Sequence, residues 1–407
     1  MEPVVHLGLA KRWMQQQIDQ GWSFTSKHVC AGCVDDYALE AAISAAQDID
    51  VECDFCGGSP AAELDVLLEL FVEGVCREYG SADAEGVSYV TREGGYQWDV
   101  LDTWDVVHEC GADVLVGDGL LEAVCGAMED QCWVPVDFIA PRRDEALYNS
   151  WQRFCDAVQH RTRYVFWLQA EEELEHGEVS PARILEHVGE FVDRFGLVTE
   201  LPAGTRVWRA LTHPEPQVSW NARRLGTAPR ELARQANRMS PAGIPMFYGA
   251  FDFDTALRET SVRGGEPWAT AGEFEISHSC FVVDFTGVPS VPSMFDPDHA
   301  ADRRTLIFLH SFIEALSKPA RSLYEQIDYV PTQVVTEYLL HVFRPSARVA
   351  GLLYSSSLTG GVAAVLNVPH DRCVDSAGEV QEGEVESLRM ILDPASLCTG
   401  PSFVVEP

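Results

Sequence analysis

The sequence predicts an α+β protein: a helical first half followed by a domain built on a mixed β-sheet. Apolar residues recur at helical spacing in "AAELDVLLELFVEGVCREYG" and in "PARILEHVGEFVDRFG", the latter through Ile184, Leu185, Val188, Phe191, Val192 and Phe195. At "VTELPAGTRVW", Pro202 and Gly204 interrupt that pattern, and strand-like runs follow in "RVWRAL", "MFYGAF", "CFVVDF", "VAGLLYSS" and "VAAVLNV". Helical runs at "DRRTLIFLHSFIEALSK" and "PTQVVTEYLLHVF" interleave with them without regular βαβ alternation, which argues against a doubly wound sheet. Val282, Val283, Leu352 and Leu353 are the expected sheet core.

These patterns divide the chain into a cysteine module (1–60), a helical domain (61–198), the mixed domain (199–370) and a tail (371–407) that is acidic, then proline-containing, and carries no assigned role. "TREGGYQWD" and "VPVDFIAPRRD" read as breaks in the helical domain. A length of 407 residues, 46% hydrophobic and 10% aromatic, gives a folded chain with room for two or three domains.

The chain has 29 Lys+Arg against 63 Asp+Glu, a formal charge of -34, with lysine at Lys11, Lys27 and Lys318 alone. Such a field repels phosphate backbones and anionic lipid, so neither nucleic acid nor a membrane surface is an expected partner. The start, "MEPVVHLGLAKRWMQQQIDQGW", lacks the layout of a signal peptide, and no apolar run reaches bilayer length. The expected location is the cytoplasm, and the 12 cysteines fit a reduced compartment.

Four of those cysteines stand in "CAGC" and "CDFCGG" with the spacing C-x2-C-x19-C-x2-C. That spacing predicts a tetrahedral Zn²⁺ site of Cys30, Cys33, Cys53 and Cys56, with Gly32 and Gly57 letting backbone N–H groups approach sulfur. The intervening "DDYALEAAISAAQ" predicts a helix capped by Asp35, with Leu39 and Ile43 one turn apart. Four thiolates leave no open position, so the zinc is structural.

In "SWQRFCDAVQHRTRYVFW", Arg153 and His160 are seven residues apart and are expected on one helical face. The spacing is similar to the Arg-x(4–6)-His motif of HEPN ribonucleases, whose pair acts on the RNA 2′-hydroxyl and phosphate. Phe154 departs from that family, which has a polar residue after the arginine.

The segment "RMSPAGIPMFYGAFDFDTALRETS" predicts a turn through Pro241, Gly243 and Pro245, a strand over Met246 to Phe251, and a helix capped by Asp252 or Asp254 that ends near Glu259. Together with "RVWRAL", "YVPTQVVTEYLL" and "GLLYSSSLTGG" it resembles the RES domain over about Pro202 to Val368. The cysteine and helical regions before it resemble the HEPN/RES N-terminal extension. The resemblance implies a fold like that of ADP-ribosyltransferases and an enzyme that degrades NAD⁺ at the nicotinamide–ribose bond. The acceptor would be inorganic phosphate (an NAD⁺ phosphorylase), water (an NAD⁺ glycohydrolase) or a protein (an ADP-ribosyltransferase). It also implies a toxin or defence effector, with an antitoxin or trigger protein, or a second copy of the chain, as partners.

Residue by residue, the family's first arginine falls on Arg209, a second basic position on Arg238, its tyrosine on Tyr248, its glutamate on Glu259 and its serine on Ser356. The run Ser355–Ser357 leaves the serine open by one residue. Ala236 and Asn237 stand where glycine often precedes the second arginine, and Asn367 replaces an apolar residue at the end of the last strand.

The chemistry needs these residue types. Breaking the nicotinamide–ribose bond builds positive charge on the sugar carbon, as in other oxocarbenium-like cleavages. A carboxylate such as Glu259 stabilises that charge and orients a ribose hydroxyl. Arg209 and Arg238 offer planar forks for the pyrophosphate, Tyr248 a ring or hydroxyl for the nicotinamide riboside, and Ser356 a hydroxyl for a phosphate or sugar oxygen. Two other readings stand beside this one: a ribonuclease using Arg153 and His160, and a non-enzymatic zinc-containing interaction module.

Overall fold

The computed structural model describes residues 20–402 except 93, 169–173, 175, 217–218, 265, 322, 345–346 and 376–387, with backbone alone at 262–264. The chain separates into two compact units: the residues up to Arg142 with Val291–Leu306, and Arg143–Ser290 with the residues from Ile307 onward.

The first unit is built on the helix Leu64–Glu78, whose buried Leu64, Leu67, Leu68, Phe71, Val72 and Val75 form one apolar stripe. Leu39 and Ile43 of the helix Tyr37–Ala46 join the same core, as do Cys33 and Cys53. Phe295 returns to stack on Phe71 at 4.9 Å between ring centroids. The cysteines therefore share one core with residues beyond 60, because helices this short bury too little apolar surface to close off alone. Short strands β1 (His28–Val29) and β2 (Ala62–Glu63) pair antiparallel, as do β3 (Tyr79–Ser81) with β6 (Trp133–Pro135) and β4 (Tyr89–Val90) with β5 (Gly95–Tyr96). Both expected breaks thus contribute paired strands. The cap of Tyr37–Ala46 is Asp36, whose carboxylate accepts from Ala38 N and Leu39 N. Asp35, the expected cap, instead gives its backbone N–H to the Val114 carbonyl.

In the second unit, ten strands form one mixed sheet among the described residues. They are β7 (Val198–Leu201), β8 (Arg206–His213), β9 (Phe247–Ala250), β10 (Trp268–Ile276), β11 (Cys280–Asp284), β12 (Gly351–Ser355), β13 (Val362–Leu366), β14 (Cys373–Val374), β15 (Met390–Leu392) and β16 (Cys398–Pro401). The order across the sheet is β14-β15-β10-β8-β9-β13-β12-β11-β7, with β16 also on β10. β11 with β12 and β14 with β15 are parallel; the other pairs are antiparallel. The expected strands are present, and β7, β10 and the three strands of the supposed tail extend the sheet. Val282, Val283, Leu352 and Leu353 are buried as expected.

Two features of this sheet prepare the site. β8 and β9 share a single registered pair, Trp208 with Ala250, so the ladder opens beyond it. The helix Phe253–Gly264 crosses that opening, with Thr260 Oγ1 donating to the Ala210 carbonyl at 3.1 Å and Phe253 edge-on to Trp208. The helix runs further than the expected end near Glu259, and its start is fixed by Asp252, which accepts from Thr255 N at 2.8 Å. Among the described residues no helix is long and apolar enough to cross a membrane.

Candidate functional site

The four paired cysteines converge. Sγ–Sγ distances are 3.7 Å for Cys30–Cys33, 3.4 Å for Cys30–Cys56 and 3.6 Å for Cys33–Cys53, and all four sulfurs lie within 4.8 Å of one another. Four sulfurs about 2.3 Å from a central zinc stand about 3.8 Å apart, so the residues fit that ion. Backbone N–H groups of Cys30 and Phe55 point at Cys53 Sγ, at 3.3 and 3.5 Å. Burial alone pushes the Cys53 thiol up, but the N–H groups of Phe55, Cys30 and Cys56 outweigh it and hold the group at about 7. Such donors favour the thiolate, the form that binds metal. Gly57, at a φ of 72°, makes the left-handed turn that closes the second pair.

Arg153 and His160 lie in stretches of different helical geometry. The α-helix ends at Asp156, and Ala157–Arg161 form a π-helical turn, which shifts the winding on which a shared face depends. Arg153 Nη2 is engaged at 3.1 Å by Glu178, whose side chain is 2% exposed, while His160 is exposed.

The C-terminal set comes together where β8 and β9 part. Arg209, Tyr248 and Glu259, 50 residues apart from first to last, line one cavity of about 560 Å³. Ser356 lies beneath its wall and donates from Oγ to Glu259 Oε1 at 2.6 Å. Within the serine run, Ser356 is buried and Ser355 and Ser357 are exposed. Ser356 Oγ also accepts from Leu358 N, and Ser356 N donates to the Gly361 carbonyl, so the turn after β12 fixes the hydroxyl.

Arg209 is 8% exposed and engaged with the chain: Nε donates to the carbonyls of Leu225 and Gly226 at 2.6 and 3.1 Å, and Nη1 to that of Tyr248 at 2.5 Å. Burial brings its guanidinium down to about 10, so it remains charged at neutral pH. The Tyr248 hydroxyl meets Ser240 Oγ at 2.9 Å and accepts from Met239 N. Arg238 is 4% exposed, its guanidinium 6.0 Å from the Tyr354 ring centroid. Its Nε and Nη1 are buried without a hydrogen-bond partner among the described residues, and Arg238, unlike Arg209, Tyr248 and Glu259, is not among the residues that line the cavity.

The RES domain family matches residues 206–390, a span that opens on β8 and holds every residue of this cavity wall. The chain is a RES-domain protein. HEPN/RES N-terminal domain 1 matches residues 46–172. Comparison with curated proteins and with solved structures finds no match. RES domains are associated with NAD⁺-processing toxins and point in general to an enzyme acting on NAD⁺.

Within the RES domain, sequence reasoning missed Tyr354, Arg234 and Thr260, which also line the cavity. It missed as well the pair Thr255–Thr359, whose hydroxyls meet at 2.7 Å and tie the serine turn to the helix of Glu259. Tyr354 directly precedes the serine run on an otherwise apolar strand, and that position was the available signal.

Proposed function

We propose that this RES domain cleaves the nicotinamide–ribose bond of NAD⁺, on a fold related to ADP-ribosyltransferases, with phosphate or water as acceptor. The observation that carries the reading is the 2.6 Å hydrogen bond from Ser356 to Glu259 at the wall of a cavity that Arg209 and Tyr248 also line. A cavity of about 560 Å³ is in the range of sites that enclose a cofactor-sized ligand.

As nicotinamide leaves with the bonding electron pair, positive charge develops on the ribose carbon. Glu259 stabilises that charge and orients a ribose hydroxyl. Ser356 donates to one carboxylate oxygen and so fixes the direction of the other. Arg234 on the cavity wall suits an anionic oxygen, either of the pyrophosphate or of an attacking phosphate, and the buried Arg238, which does not line the cavity, adds its charge from beyond the wall. Arg209 acts through the chain: it holds the backbone of Tyr248 and the turn at Leu225 and Gly226.

In this reading the cysteine quartet holds a structural Zn²⁺, and the biological role is that of a toxin or defence effector in the cytoplasm, restrained by an antitoxin or released by a trigger. The test is product analysis: purified protein is incubated with NAD⁺ with and without inorganic phosphate. A phosphorylated ADP-ribose that forms with phosphate alone identifies a phosphorylase, ADP-ribose in both a glycohydrolase. Intact NAD⁺ throughout refutes the proposal.

A further inference from the structure

A second cavity, of about 670 Å³, adjoins the first, and Ala228, Ile244 and Pro245 line both. We infer that the second cavity seats the adenine base of the dinucleotide whose nicotinamide riboside end lies at Glu259. The inference rests on the NAD⁺ reading and adds a base-recognition site to it.

The charges separate the two cavities. The first carries Arg234 and the carbonyl-held Arg209 against Glu259, and Arg234, its free cation among the described residues, suits the phosphate portion. The second sets Glu231 and Asp371 against Arg230, so it offers a doubly charged pyrophosphate little attraction and suits a neutral group.

The polar groups in the second cavity match a purine edge. Asn367 follows the end of β13; it is exposed, and its side-chain amide makes no hydrogen bond among the described residues. Such an amide offers the donor and acceptor pair that adenine complements through N6 and N7. His370 Nδ1 stands 2.7 Å from the Thr227 carbonyl. A carbonyl accepts, so Nδ1 carries the proton, and Nε2 of the neutral ring is left as an acceptor for an amino group. Ile244, Pro245 and Pro369 supply apolar contact for the flat faces of a base. Guanine would present a carbonyl oxygen where adenine offers its amino group, and so would place two acceptors together.

The test uses the full-length zinc-loaded protein and two probes that need no chemistry, AMP and GMP, measured by calorimetry. Asn367→Ala and His370→Ala should each weaken AMP binding by about tenfold, the discrimination expected of one good base contact, and GMP should bind wild type at least about tenfold less tightly than AMP. In nicotinamide-release assays both variants should raise the KM for NAD⁺ and leave that for nicotinamide mononucleotide unchanged. AMP binding that both variants leave intact, equal binding of AMP and GMP, or no AMP binding to wild type would overturn the inference. If wild type releases nicotinamide from neither substrate, the NAD⁺ reading itself fails, and the AMP and GMP arms still decide the base site. Should His370→Ala lower the melting temperature, the exposed Asn367 variant decides.

Discussion

Arg209 Nη1 donates to the Tyr248 carbonyl at 2.5 Å, at the place where β8 and β9 share one registered pair. The guanidinium replaces the missing ladder and holds open a gap in the sheet that would otherwise close or lose its order. Arg209→Ala should therefore lower both nicotinamide release and stability. Each hydrogen bond to the charged group contributes about 1.5–3 kcal/mol, so the loss of Nε and Nη1 contacts should lower the melting temperature by several degrees. Arg209→Lys should rescue little, since one ammonium does not reproduce the fork. Lost activity at an unchanged melting temperature would show that Arg209 binds substrate alone.

Ser356→Ala removes the donor to Glu259 while leaving the carboxylate in place. A hydrogen bond to a charged group at about 1.5–3 kcal/mol corresponds to roughly a 10- to 100-fold fall in rate. The fall should appear in kcat more than in KM, because the bond orients Glu259 at the reacting carbon. Equal activity of Ser356→Ala and wild type in steady-state kinetics would remove Ser356 from the site.

Gly361 lies between the serine turn and the helix of Glu259. A Cβ there would come 2.2 Å from Thr255 Oγ1 and 2.7 Å from Asp252 Oδ2. Gly361→Ala should push the turn away, cost about 1–3 kcal/mol of stability through overpacking, and reduce kcat with Ser356 itself untouched. Thermal melts and kinetics on the same sample check both effects. An active, fully stable variant would mean that the turn has room to shift without loss.

Metal analysis of the purified protein should find one zinc per chain, and chelation should release it. Structural zinc contributes on the order of 10 kcal/mol to the fold that holds it, and Cys33 and Cys53 sit in the main core of the first unit. Chelation, or Cys53→Ser, should unfold that core, read as lost tryptophan burial at Trp22 and Trp133. A protein that contains no zinc, or that melts identically without it, would contradict the assignment.

His160→Ala should leave nicotinamide release unchanged, because His160 is exposed and is not among the residues that line the cavity of Glu259. A loss of RNA cleavage in that variant, from a wild type that cuts RNA, would instead restore the nuclease reading.

Features written in short-range spacing were legible in the sequence. The quartet follows from two C-x2-C pairs, and the order of turn, strand and helix around Glu259 from Pro241, Gly243, Pro245 and Asp252. β10 was missed although Glu273, Phe274, Glu275 and Ile276 alternate, because Ala269 to Gly272 are buried on both faces and show no period. β7, β14, β15 and β16 were missed because strands of two to four residues are stabilised by their neighbours more than by their own composition. Likewise, nothing local in "RVWRAL" shows that Arg209 turns to carbonyls 16, 17 and 39 residues away. The π-helical turn that holds His160 has no signature in the residues that form it.

The most direct test of the account is nicotinamide release from NAD⁺ by zinc-loaded wild type beside Glu259→Gln, which keeps the shape of the side chain and the partner of Ser356 and removes the charge. The account predicts release by wild type and a loss of about 100-fold or more in the variant, at equal melting temperature. Comparable release by both proteins, or none by either, would contradict it.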